Sequence, residues 1–251
     1  MKLTKNLKES LLFLKKYPKF FIPSMISITI WTGFYILLLD TLTSITLTNY
    51  VDTVSNSLSP LLLLIVLFSP ISVLIYAMYP TMVKDYEEKK SFSFRKAIEI
   101  AFQKFPKIFV TMVLPSLFIS FMASPFVALI ILGSIQGNTY LAILGGIITF
   151  IIFVVFTVMF YFAPTSIILK GNNVSDSFRK SWDIGKKNFS ELSLIVILSL
   201  IILLMGYFIP NKLKIIGISG FIIGRYLEGI LETYLKVINP NIYLDIEEED
   251  F

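Results

Sequence analysis

The sequence contains neither cysteine nor histidine. Without cysteine there are no disulfides, thiolate metal sites or sulfur nucleophiles. Without histidine the chain lacks the commonest metal ligand and the commonest general base. Charge is scarce as well: 16% of the 251 residues are Asp, Glu, Lys or Arg, where a soluble domain carries about 25%. From Ile108 to Leu169 there is none at all, a stretch of sixty-two residues. No water-soluble core needs such a run, whereas two membrane-spanning helices and a tight turn do. Phosphate-binding glycine loops, zinc-ligand spacings, a nucleophile elbow and coiled-coil heptads are all missing.

What is present is apolar: 55% of residues are hydrophobic, and mean hydropathy is +0.79. A spanning helix needs about 20 predominantly apolar residues. Six segments qualify: 20–39, 58–83, 108–132, 140–169, 192–209 and a weaker sixth at 213–238. Membrane β-barrels use alternating strands of about 10 residues, and these runs are longer and continuous, so the expected fold is all-α. The first run is as long as a span and no cleavage pattern follows it, so it is expected to stay as the first transmembrane helix rather than leave as a signal peptide.

The basic residues orient the chain. Eighteen of the 22 lie before the first span, between spans two and three, or between spans four and five, and the outer loops hold only Lys212 and Lys214. Lys and Arg concentrate in cytoplasmic loops, so both termini are expected inside a cell membrane.

A shift of 84 residues superposes Pro80-Thr81 on Pro164-Thr165, and Ser93-Phe94-Arg95-Lys96 on Ser177-Phe178-Arg179-Lys180. A fainter copy begins at the N-terminus, where Tyr17-Pro18-Lys19-Phe20-Phe21 echoes Phe105-Pro106-Lys107-Ile108-Phe109. The expected unit is a basic amphipathic helix followed by a helical hairpin. It occurs three times, as parallel repeats at about 1–83, 84–169 and 170–240, followed by an acidic cytoplasmic tail at 241–251. In the second copy Phe94, Ala97, Ile98, Ala101, Phe102 and Phe105 form one apolar face; Phe178, Ser181, Trp182, Gly185 and Phe189 repeat it, and Leu7, Leu11 and Leu14 give a shorter version. Thr4, Ser91 and Ser175 stand where N-caps are expected. Such helices either close the bundle from below or lie in the interface and contact anionic lipid or a partner. For the second role the candidates are Arg95, Lys96, Arg179, Lys180, Trp182, Lys186 and Lys187.

The run from Ser177 to Phe189, Ser-Phe-Arg-Lys-Ser-Trp-Asp-Ile-Gly-Lys-Lys-Asn-Phe, leads straight into a span. It resembles the membrane domain attached to some glycerophosphodiester phosphodiesterases and its stand-alone prokaryotic relatives, over residues 160–205 with an echo at 78–120. The resemblance implies about six helices and a connection with lipid or envelope processes. In the fused enzymes the hydrolysis belongs to a separate soluble barrel, which this chain lacks, so the resemblance does not carry phosphodiesterase activity to it.

Ionisable residues within a span are functional candidates by default. The sixth span carries Arg225, Glu228, Glu232 and Lys236 at steps of three, four and four, which places them on one face. Ile222, Ile223, Tyr226 and Ile230 lie opposite, so the charges are expected to point into the bundle. They form either a self-neutralising ladder or a polar site built on Arg225, Glu228 and Glu232. No nucleophile and base converge, so the expected protein is not an enzyme and needs no cofactor or metal. It is expected to be a membrane scaffold or accessory module that contacts lipids, another membrane protein or a second copy, and no nucleic acid. The alternative is a small-solute or lipid transporter using the polar face of the sixth helix.

Overall fold

A computed structural model describes residues 3–43 and 59–249. The described residues form nine α-helices: α1 (Leu3–Lys16), α2 (Phe21–Thr43), α3 (Ser59–Lys89), α4 (Phe94–Ile135), α5 (Thr139–Phe160), α6 (Ala163–Lys170), α7 (Val174–Lys187), α8 (Phe189–Leu213) and α9 (Ile218–Glu249). Most of the Thr/Ser-rich stretch 41–59, between the first two expected spans, falls outside the described residues. Among the described residues, five segments are long and apolar enough to cross a membrane: Pro18–Leu38, Ser59–Lys89, Phe94–Ile135, Thr139–Lys170 and Phe189–Ile216. The chain is an all-α, multi-pass membrane protein.

The helices close into a ring. Each of α2, α3, α4, α5 and α8 packs on the next, α8 packs on α9, and α9 returns to α2 and α3. Glycines set the close approaches. A Cβ on Gly224 would stand 2.5 Å from Pro210 Cα, and one on Gly145 would stand 2.6 Å from the Phe126 carbonyl oxygen. The α8–α9 and α4–α5 hairpins therefore touch backbone to backbone.

Packing is concentrated at one end, which also carries most of the lysines. There Phe20, Tyr79, Met82, Ala97 and Ile167 share one buried cluster, and Val158, Phe162, Ile195, Ile242 and Tyr243 share the other. The opposite end is loosely covered: Phe121 is 77% exposed and Tyr140 88%.

Several local expectations are corrected. The second amphipathic segment is not a separate helix: α4 runs unbroken through Pro106 for 42 residues. Its N-cap is Ser93, not Ser91, with the Ser93 hydroxyl accepting from the Lys96 N–H. Ser175 lies inside α7, which follows Asn173, and residue 4 lies inside α1. The fourth span is broken between α5 and α6, where Pro164 sits in the first turn of α6. Ser181 of α7 covers the break, its hydroxyl accepting from the Phe162 N–H at 3.1 Å and donating to the Met159 carbonyl at 2.8 Å. The repeat mate of Ser181 is Ala97, which has no such group, and α3 continues through Pro80 without a break.

On α1 the buried face is Asn6, Ser10 and Leu14, while Leu11 is exposed. Residues 241–249 are not a free tail but the last turns of α9, with Ile242, Tyr243 and Ile246 buried. Asn6 donates to Asp245 at 3.0 Å and Asn241 to Ser10 at 3.0 Å, so α1 is fastened to the end of α9. The expected sixth span, 213–238, is not among the five apolar segments, and the helix that carries it starts later than 213. Lys214–Ile216 is a 3-10 turn, Gly217 takes φ +88, and α9 begins at Ile218. Arg225 is then about 10 Å into the helix at about 1.5 Å per residue, rather than about 18 Å.

Candidate functional site: a charged cavity inside the helix ring

The charged stripe of α9 faces the ring. Arg225, Glu228, Glu232 and Lys236 have side chains only 16–27% exposed, whereas Ile223, Tyr226 and Ile230 on the other side are open. The four charges pair along the helix. Arg225 Nη1 donates to Glu228 Oε2, and Lys236 Nζ donates to Glu232 Oε2 at 2.8 Å. Pairing keeps the sum at zero where dielectric screening is weak and an isolated charge is costly.

Neighbouring helices supply uncharged partners. Arg225 Nε lies 3.5 Å from Thr32 Oγ1 on α2. Lys236 Nζ also donates to Ser24 Oγ at 3.3 Å. Ser24 Oγ stands 2.7 Å from Tyr79 OH, which donates to the Phe20 carbonyl at 3.0 Å. The order Lys236 to Ser24 to Tyr79 to Phe20 is a chain of donors that ties α9, α2 and α3 together and leaves each hydroxyl satisfied.

Between these helices lies a cavity of about 610 Å³, lined by Arg225, Glu232, Lys236 and Asn239 of α9 together with Ser27, Trp31, Ser72, Tyr76, Tyr161 and Ser199. Its volume falls in the range of about 300–1,000 Å³ usual for small-molecule sites, and its mixture of apolar wall and a few converging polar groups is the usual composition of one. Trp31 Nε1 donates to Ser72 Oγ at 2.7 Å, joining α2 to α3 in the wall. At the basic end Asn239 Nδ2 donates to the Tyr161 carbonyl at 2.9 Å, and Thr165 Oγ1 donates to Asn239 Oδ1, so the α5–α6 break and α9 form a floor. A guanidinium carries five N–H donors. Arg225 directs one firmly to Glu228 and one distantly to Thr32, and its Nη2 has no acceptor among the described residues. Glu228 pairs with Arg225 but turns towards α8, where a Cβ on Gly206 would stand 2.9 Å from its Cγ.

A second polar cluster sits at the basic end. Glu247 of α9 receives Lys170 Nζ at 2.8 Å and Lys180 Nζ of α7, and Lys180 lies over the Tyr243 ring, 5.3 Å from its centroid. Burial works to raise the Glu247 pKa, but the hydrogen bonds from Lys170 and Lys180 outweigh it and hold the carboxyl below its ordinary value. Burial likewise opposes charge on Lys180, and the hydrogen bond to Glu247 together with the adjoining Tyr243 carries its pKa above the usual lysine value.

The remaining sequence candidates are scattered over this end. Lys96 pairs with Asp85 of α3 at 2.5 Å. Trp182 is half-buried against Phe160, centroids 6.0 Å apart, and Arg95, Arg179, Lys186 and Lys187 are exposed. The sequence reading missed Ser24, Tyr76, Tyr161 and Asn239. For Asn239 the signal was present: steps of three and four from Lys236 reach Asn239, Tyr243 and Glu247 on the same face, beyond the point at which the apolar run ends. For Ser24, which meets Lys236, and for Tyr76 and Tyr161, which line the cavity, no local pattern exists, because separate segments bring them to the stripe. No protein-family model, no curated protein and no solved structure matches the chain.

Proposed function

We propose that the protein is a six-span module of the cell membrane, three hairpins (α2–α3, α4–α5 and α8–α9) with both termini cytoplasmic. It acts without catalysing a reaction and holds a small polar solute or lipid headgroup in its central cavity for transfer or sensing. On this reading α9 is the sixth span and the basic end is the cytoplasmic end. The observation that carries it is the cavity itself, in which Arg225, Glu232 and Lys236 meet hydroxyl and amide groups from neighbouring helices. A ladder that served only neutrality would need nothing beyond its own helix, whereas this one also lines a half-open space with hydroxyl groups from other helices.

A scaffold or accessory role is the second reading. It is favoured by the loosely covered end, where the exposed apolar faces of α4, α5 and α8 suit another membrane protein or a second copy.

Native mass spectrometry of the full chain, released gently from its own membranes, separates the two. A solute or lipid adduct that survives in the wild type and disappears in the charge-neutral pair Arg225→Gln/Glu228→Gln supports the cavity. A bare chain, or a stoichiometric protein partner with no adduct, overturns the ligand reading and returns the assignment to the scaffold.

A further inference from the structure

A second cavity, about 430 Å³, lies on the flank of the ring where α2, α3 and the first turns of α4 meet, and every residue on its wall is apolar. Ile22 and Ile26 of α2 form one side, Ile98 and Phe102 of α4 the other, with Leu74 and Met78 of α3 behind them. The four side residues remain 42–61% exposed, so the groove opens outward from the ring. It offers no hydrogen bond, and whatever lies in it is hydrocarbon.

Both sides start from a cation at the basic end. Arg95, Ile98 and Phe102 follow one another at steps of three and four along α4, and Lys19 stands in the 3-10 turn Pro18–Phe20 that leads directly into α2, three residues before Ile22. Lys19 and Arg95 are exposed, and neither has an acidic partner among the described residues. Several other cations of this end are committed: Lys84 to Glu88, Lys96 to Asp85, and Lys170 and Lys180 to Glu247. The repeat shows that the pattern is local. The third copy reads Arg179, Trp182 and Lys186 at the positions of Arg95, Ile98 and Phe102, so its stripe ends in a charge and no apolar groove follows.

We propose that this groove is a binding site for an anionic phospholipid of the leaflet at the basic end, one acyl chain lying between Ile26 and Phe102 and the phosphate held by Lys19 and Arg95. The site is separate from the central cavity and shares no residue with it. Hydrocarbon burial supplies affinity without headgroup choice, and the two cations supply preference for negative charge.

The test is native mass spectrometry of the full chain, delipidated and then given phosphatidylglycerol or phosphatidylcholine with the same acyl chains. The wild type is expected to retain the anionic lipid about tenfold or more over the zwitterionic one. Lys19→Gln/Arg95→Gln is expected to bring the ratio near unity, while Arg179→Gln/Lys186→Gln, an equal charge change at the same end, leaves it standing. Ile26→Trp fills the groove from its exposed side and is expected to lower retention of both lipids together. Equal retention by the wild type overturns the site, as does an equal fall in both glutamine pairs or full retention by Ile26→Trp.

Discussion

In the proposed sixth span, Arg225 and Glu228 show how two opposite charges are kept together away from water. Each charge alone costs about 2.5–3.5 kcal/mol at mid-membrane on insertion scales, and pairing on one helical turn removes most of that. Arg225→Gln leaves Glu228 unpaired against Gly206, and is expected to destabilise the protein by about 2–4 kcal/mol. The double variant Arg225→Gln/Glu228→Gln is expected to recover at least half of the loss, read from thermal midpoints in one detergent; a double variant worse than the single would show that the pair contributes little as a pair. At the basic end the sign of the pH dependence follows from the two shifts. The Glu247 pKa is lowered, so its contribution is present above the ordinary carboxylate value and lost as pH falls through the folded pKa. The Lys180 pKa is raised, so its contribution is full below the ordinary lysine value and lost as pH rises through the folded one. Glu247→Gln is therefore expected to lower stability by about 1–2 kcal/mol between about pH 6 and pH 9, after allowance for the partly exposed lysines. The difference from wild type should shrink in acid, and a difference that persisted unchanged at about pH 3 would reject this origin.

Among the elements, the contrast between the two repeat copies is set by single side chains. In both copies a proline is followed by threonine, yet α3 continues through Pro80 and the α5–α6 segment breaks at Pro164. The difference is the hydroxyl of Ser181, which serves the Phe162 N–H and the Met159 carbonyl together. Ser181→Ala leaves both without that partner in a buried place. It is expected to destabilise the protein by about 1–3 kcal/mol, with a local rise in amide exchange at residues 159–163. An exchange pattern unchanged there would mean that the break does not depend on Ser181. The hairpin seams respond to size in the same local way. Gly224→Ala forces a methyl against Pro210 backbone and should cost about 1–3 kcal/mol. Gly146→Ala meets nothing within 4 Å on α5 and should be neutral or stabilising by up to about 1 kcal/mol. Comparable thermal losses in the two alanine variants would contradict the close α8–α9 approach.

At the level of the whole molecule, packing is uneven along the membrane normal. The buried clusters lie at the basic end, where α1, α6, α7 and the end of α9 interlock through Asn6, Ser10, Lys170, Lys180 and Glu247. The opposite end holds the ring together mainly through glycine contacts within hairpins. The orientation proposed above places Asn138 and Asn211 on the outer side and the basic end in the cytoplasm. Because the chain has no native cysteine, single cysteines at these two positions are expected to react with an impermeant thiol reagent added to intact cells. Labelling only after the cells are opened would invert the orientation.

The sequence by itself determined the helical membrane class, five of its spans and the inward face of the charged stripe. These follow from composition, run length and the 3.6-residue period, which are local properties. It left open whether the stripe neutralises itself or forms a polar site, and the structure pairs Arg225 with Glu228 and Glu232 with Lys236. Only the tertiary structure decided that the stripe continues through Asn239 and Tyr243 to Glu247, because the apolar run that marks a span stops before them while the helix does not. Only the tertiary structure decided that α4 is continuous and the fourth span broken, since both depend on whether a side chain from another helix reaches the freed backbone. The cavity belongs to the same class of fact. Ser27, Tyr76 and Tyr161 are unremarkable where they stand in the chain, and become a site because the helices gather around a space that no single helix defines.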